Sequence, residues 1–143
     1  MKIAIACDHG ALSLKNNLRD YLAGKGYEVK EFGTHTLDSC DYPDYVKPAA
    51  QAVANGECDR GIVLCSTGIG VSIAANKVKG VRCALLSDLM SARLTREHND
   101  TNVMAMGAFI VGEALAKEIV DTWLTTEFSQ GERHARRIAK LEE

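Results

Sequence analysis

Cys65-Ser66-Thr67-Gly68-Ile69-Gly70 follows the apolar run Ile62-Val63-Leu64 and precedes an alanine-rich segment that begins at Val71. This order puts a thiol between a buried strand and the start of a helix. Glycines at 68 and 70 let the backbone turn sharply and present its N–H groups, and a helix start adds partial positive charge that favours an anion or a thiolate. The chemistry suited to such a place is proton abstraction by sulfur beside an oxyanion site. The plain alternative is a small buried hydrophobe, a common use of an unpaired cysteine.

Four further groups carry functional side chains: Asp8-His9-Gly10, Asp41-Tyr42-Pro43, Arg96-Glu97-His98-Asn99-Asp100 and Arg133-His134-x-x-Arg137. Each has a structural alternative. Asp8 is a good helix cap, His98 complements a helix C-terminal dipole, and Asn99 is a frequent terminator. Arg133 and Arg137 are four apart, so on a helix they share one face and grip a phosphate together, or else form a solvated basic end. Phosphatases of low molecular weight also place a cysteine in a loop before a helix, but they need an arginine six positions later. Val71 stands there, which argues against phosphatase chemistry.

The elements that must position these groups alternate. Lys2 to Cys7 reads as a strand and Ser13 to Gly24 as a helix; Glu28 to Phe32 is a second strand, and a helix follows the loop around Tyr42 and runs to Ala54. Gly61 to Cys65 and Val71 to Lys77 form the third pair, Val81 to Leu86 and Asp88 to His98 the fourth. Val103 to Met106 is a fifth strand, followed by helices over Glu113 to Thr125 and roughly Glu132 to Leu141. Nearly continuous apolar strands alternating with helices predict a five-stranded parallel sheet covered on both faces. Ligands of such sheets bind beyond the carboxyl ends of the strands, so Asp8-His9, the Cys65 loop and Ser87-Asp88 are expected to face one crevice. No dinucleotide fingerprint follows strand one, where Gly10 is the single glycine, and Ile73 occupies the third glycine position after Gly68 and Gly70.

A length of 143 residues predicts a single domain, and 46% hydrophobic with 25% charged residues is ordinary globular composition. The formal charge of −2 gives no general drive toward nucleic acid. The apolar start is interrupted by Asp8, His9 and Lys15, and no apolar run approaches the roughly 20 residues needed to span a bilayer. Five cysteines, at 7, 40, 58, 65 and 83, include no Cys-x-x-Cys pair and suggest neither a disulfide framework nor a standard metal site. Reduced thiols in a cytoplasmic protein without a metal or other cofactor are the expectation.

In order and spacing, the motifs together resemble the type B ribose-5-phosphate isomerases over almost the whole chain, with Cys-x-Thr-Gly-x-Gly and His-Asn-Asp the most specific pieces. The resemblance implies a Rossmann-like three-layer α/β/α sandwich, a metal-independent aldose–ketose isomerase acting on a small phosphorylated sugar, and a homodimer with active sites between subunits. It implies Cys65 as the base that moves a proton between C1 and C2, with Thr67 beside it, and His98 as the group that assists ring opening. It also implies that Asp8, His9, Thr67 and Asn99 hold hydroxyls or the ring oxygen, that Tyr42, Ser66, Gly68, Ile69 and Gly70 line the site, and that Arg133 and Arg137 hold the phosphate. The final helix, about 132 to 141, is expected to reach a neighbouring subunit.

Two positions depart from the family pattern. Ser66 stands where the family usually has glycine, and Phe109 where it often has a phosphate-binding arginine. An aromatic ring replaces neither the charge nor the forked donors of a guanidinium. Ribose 5-phosphate is therefore the leading substrate, with other aldose phosphates of four or six carbons as alternatives. A non-catalytic phosphosugar-binding protein, or a redox-sensing thiol protein using Cys7 or Cys83 as partner to Cys65, are the rivals from other classes.

Overall fold

Alternating apolar runs and amphipathic stretches become strand–helix units in the computed structural model, which describes residues 1–143. The elements are β1 (Lys2–Cys7), α1 (Leu12–Gly24), β2 (Glu28–Glu31), α2 (Pro43–Ala54), β3 (Arg60–Cys65), α3 (Ile69–Asn76), β4 (Cys83–Leu85), α4 (Leu89–Asn99), β5 (Val103–Gly107), α5 (Glu113–Thr125) and α6 (Glu132–Leu141). The expected five-stranded parallel sheet is present, in the order β2-β1-β3-β5-β4. β4 is shorter than the apolar run Val81 to Leu86 suggested, because it is an edge strand with one neighbour to pair with. α3 begins two residues before the expected Val71, with Gly68 at φ 78° as its cap.

Two cores cover the two faces of the sheet. Leu14, Leu18 and Leu22 of α1 and Ile119, Val120 and Trp123 of α5 pack against Ile3, Ile5, Ile62, Leu64, Met104 and Met106. On the other face, Val46, Ala49, Ala50 and Val53 of α2 and Val71, Ala74 and Ala75 of α3 pack against Ala4, Ala6, Val63, Cys65 and Ala105. Small residues dominate this second face, so α2 and α3 approach the sheet closely where the thiol lies. No helix is long and apolar enough to cross a membrane.

The direction in which strands are added reverses between β1 and β3: the chain leaves β1 toward β2 on one side and returns to β3 on the other. At such a switch point the loops diverge and leave a crevice. Asp8 and His9 leave β1 there, and Cys65 ends β3 beside them.

Candidate active site

Cys65 is the last residue of β3, lies opposite Gly107 of β5, and is 6% exposed. The loop after it is drawn over β5 because the ladder continues, with the Ala108 and Phe109 N–H groups donating to the Cys65 and Ser66 carbonyls at 2.8 and 2.9 Å. That approach requires Gly107, where a β-carbon would fall 2.4 Å from the Thr67 carbonyl carbon. Gly68 then turns the chain at φ 78°, a conformation other residues adopt only with strain. Its N–H donates to Cys65 Sγ at 3.1 Å, tying the loop back onto the sulfur.

The loop's donors divide into two sets. Gly68 and Ile69 spend theirs on Cys65 Sγ and Thr67 Oγ1. The N–H groups of Ser66, Thr67, Gly70 and Val71 have no acceptor in the protein. Unsatisfied N–H groups at the first turn of a helix form an anion site. The glycine-rich loop was expected to present its N–H groups; the structure engages those of Gly68 and Ile69 and leaves those of Ser66, Thr67, Gly70 and Val71 free.

Asp8 and His9 border this loop. The Ser66 hydroxyl oxygen lies 2.2 Å from where a β-carbon of Gly10 would be, so the first and third strand ends touch. Asp8 is nearly buried, and its Oδ1 accepts from Gly10 N–H at 2.8 Å, capping a short turn that leads into α1, while Oδ2 has no protein partner. His9 accepts at Nδ1 from the Cys40 N–H at 3.3 Å, with Cys40 Sγ at 3.7 Å. A neutral His9 therefore carries its proton on Nε2. Sequence reading missed this role of Cys40, since nothing local signals a contact across 31 residues. Tyr42 closes the other side, its ring atoms lying 2.7 to 3.0 Å from the place of a β-carbon on Gly70.

The loop that carries Cys40 is itself anchored from below. Buried Lys15 donates to Glu31 Oε1 at 2.7 Å and to the Thr34 carbonyl at 3.2 Å. The Lys15 ammonium, more than the neighbouring Arg19, holds the Glu31 carboxyl below the usual carboxylate range.

Ser87 and Asp88 only partly meet expectation. Ser87 shares an apolar pocket of about 250 Å³ with Thr67, Ile69, Leu85 and Ile110. Asp88 caps α4 by accepting from Ser91 N–H at 2.7 Å. Because β5 lies between β3 and β4, these two residues flank the crevice on the side away from Asp8.

The remaining candidates lie at the other end of the sheet. α4 starts beyond the carboxyl end of β4 and runs back, so His98 and Asn99 in its last turn approach the start of β5. Arg82, ahead of β4, fixes that end by donating to the Asn99 and Asp100 carbonyls at 2.9 and 2.7 Å. Buried Arg96 ties it further to Asp100 Oδ1, the Thr101 carbonyl and the Thr126 carbonyl. α6 packs on α4 and carries exposed Arg133 and Arg137, neither of which forms an ion pair. At about 3.3 Å per residue, the length of β5 alone separates the two ends by roughly 13 Å. The candidate residues thus form two groups at opposite ends of the sheet.

The other thiols are placed apart from Cys65. Cys7 faces the opposite core with its register partner Leu64, and Cys83 pairs with Val103 at the far end of β5. Burial pushes the Cys7 thiol up to about 11 and that of Cys83 to about 12. Neither is a resolving partner for Cys65, so the redox-sensor reading loses both of its candidate pairs.

An open parallel sheet with a thiol and free N–H groups at its switch point defines the chain as an α/β protein with a small-molecule crevice. Its residues 3–141 match the family model described as Ribose/Galactose Isomerase, and the chain belongs to that family. It is 48% identical to Ribose-5-phosphate isomerase B of Escherichia coli (strain K12), over 98% of this chain and 93% of that one. It is 44% identical to D-erythrulose-4-phosphate isomerase of Pectobacterium atrosepticum, over 92% and 87%. The solved structure of Clostridium thermocellum Ribose-5-Phosphate Isomerase B superposes with a TM-score of 0.97 at 54% identity, covering 99% of this chain and 95% of that one.

Proposed function

We propose that this chain is a sugar-phosphate aldose–ketose isomerase that interconverts ribose 5-phosphate and ribulose 5-phosphate without a metal. The observation that carries the reading is the Cys65 sulfur, held by the Gly68 N–H in a crevice beside four unengaged backbone donors. In this reading, the Cys65 thiolate takes the proton from C2 of the open-chain aldose. The electron pair moves to the C1 carbonyl oxygen, giving an enediolate. The Ser66, Thr67, Gly70 and Val71 N–H groups then meet its negative charge; the C2 hydroxyl proton passes to the C1 oxygen, and as the C2 carbonyl forms Cys65 returns its proton to C1. Asp8, His9, Thr67 and Tyr42 hold the sugar hydroxyls.

His98, Asn99, Arg133 and Arg137 act in the crevice of a second copy of the chain. Their position at the opposite end of the sheet supports this, as does an exposed apolar surface beside the Cys65 loop that includes Ile69, Leu85, Met90, Phe109 and Ile110. His98 assists opening of the furanose ring, and the two arginines hold the phosphate. Phe109 is 78% exposed at the edge of the crevice and brings no charge, so phosphate binding rests on Arg133, Arg137 and His9. The chain works as one isomerase domain, residues 1–143, in a cytoplasm; five free cysteines agree with a reducing compartment.

The direct test is ribulose 5-phosphate formation from ribose 5-phosphate in EDTA, with four- and six-carbon aldose phosphates alongside. Turnover that vanishes in Cys65→Ala supports the isomerase. Turnover with another sugar alone reassigns the substrate, and binding without turnover of any of them leaves a phosphosugar-binding protein.

A further inference from the structure

His98 and His134 stack in parallel, with ring centroids 4.3 Å apart and planes 12° from each other. The contact joins the last turn of α4 to the first turn of α6. Ser129 reinforces the junction, its backbone N–H and hydroxyl both donating to the Glu97 carbonyl, at 3.2 and 2.7 Å. α6 buries no residue completely, and within it only His134 and Ile138 are half-shielded. Gly131 leads the chain in against the same ring, since a β-carbon there would come within 3.0 Å of His134 Cδ2.

No hydrogen bond fixes the ring of His98. The torsion about its Cβ–ring bond is intrinsically broad. A neighbouring hydrogen bond would set the ring plane only by occupying one of the two nitrogens that proton transfer needs. A stacked ring sets the plane from its face and leaves both nitrogens available. For that purpose the second ring must stay uncharged, because two imidazolium faces repel. Desolvation, then the charges of His98, Arg133 and Arg137, hold the His134 pKa below the ordinary histidine value. The other charged groups of these turns pair among themselves, Glu97 with Arg93 and Glu132 with Arg136.

We propose that His134 is a positioning residue for His98, presenting that imidazole at a fixed angle to the sugar ring while the neighbouring arginines take the phosphate. The inference rests on the reading of His98 as the ring-opening group. α6 then does two things from one stretch: half-shielded His134 sets the orientation of a proton-transfer group on α4, and exposed Arg133 and Arg137 beside it reach for the phosphate.

Steady-state rates on ribose 5-phosphate with His98→Ala, His134→Ala, His134→Phe and the His98→Ala/His134→Ala double variant provide the test, with thermal unfolding confirming the fold of each. His134→Ala is expected to lower kcat roughly tenfold at nearly unchanged KM, within the up to about 100-fold that a misplaced catalytic group costs. His134→Phe, which keeps a flat ring, restores most of the rate. In the His98→Ala background, His134→Ala has no further effect, since the two act as one unit. Full activity of His134→Ala, or a loss that persists unchanged in the His98→Ala background, overturns the inference while leaving the isomerase reading intact. Full activity of His98→Ala instead removes the ring-opening reading and the inference with it.

Discussion

The two ends of the sheet are built by different means. At the carboxyl end, backbone does the positioning: ladder hydrogen bonds run on past β3 and β5, Gly107 admits the Thr67 backbone, and Gly68 aims an N–H at the Cys65 sulfur. At the amino end, side chains do it: Arg96 and Arg82 clamp carbonyls, Ser129 reaches Glu97, and His134 stacks on His98. The first group is positioned entirely by the backbone of one chain. The second is an exposed arm whose Arg133 and Arg137 form no ion pair in their own chain, which supports the proposed contribution to another copy.

The sharpest way to break the comparison is at the sulfur. Cys65→Ala removes the proposed base and is expected to lower kcat by about 10² to 10⁴, the contribution of a positioned acid–base group, with little change in the unfolding temperature. Gly107→Ala attacks the same end through the backbone: the clash with Thr67 is expected to cost about 1–3 kcal/mol of stability and to displace the thiol loop, read by urea denaturation together with activity. At the other end, Arg137→Ala is expected to raise KM, lowering kcat/KM by about 1.5–3 kcal/mol worth of charged hydrogen bonding, while leaving stability unchanged because the side chain is exposed and unpaired. A rise in KM no larger than that of Lys140→Ala would return α6 to a solvated basic helix.

The smallest expected effect concerns the core thiols. The folded values near 11 for Cys7 and 12 for Cys83 lie above the ordinary 9.0, so the folded state keeps protons that the unfolded chain loses. Their contribution to stability is complete below pH 9 and is lost as pH rises toward 11 and beyond. Chemical denaturation between pH 8.5 and 10.5 should show this decline, and Cys7→Ala should flatten it; an equal slope in the variant would assign the decline to other groups.

How legible each end was in the sequence follows from the same contrast. Strand and helix limits came within a residue or two for β1, β3, α5 and α6, because apolar runs and glycine punctuation are local signals. The thiol loop was legible for that reason. Strand order was not, since β5 inserting between β3 and β4 is a long-range choice that leaves no mark on either strand. Nor were the Cys40 contact with His9 and the His98–His134 stack, which join residues 31 and 36 positions apart. His98 read locally as a helix-end residue, and locally that is correct. Its proposed role depends on a partner crevice that no single-chain periodicity encodes.

Complementation tests the central claim most directly: that the two ends serve each other only across two copies. Cys65→Ala and Arg137→Ala chains, each impaired alone, would be unfolded together, refolded as a mixture and assayed on ribose 5-phosphate. Random pairing in a two-fold dimer should restore about a quarter of the wild-type sites, because half the dimers are mixed and each mixed dimer holds one intact site. Activity no greater than the sum of the two separately refolded variants would contradict a shared site.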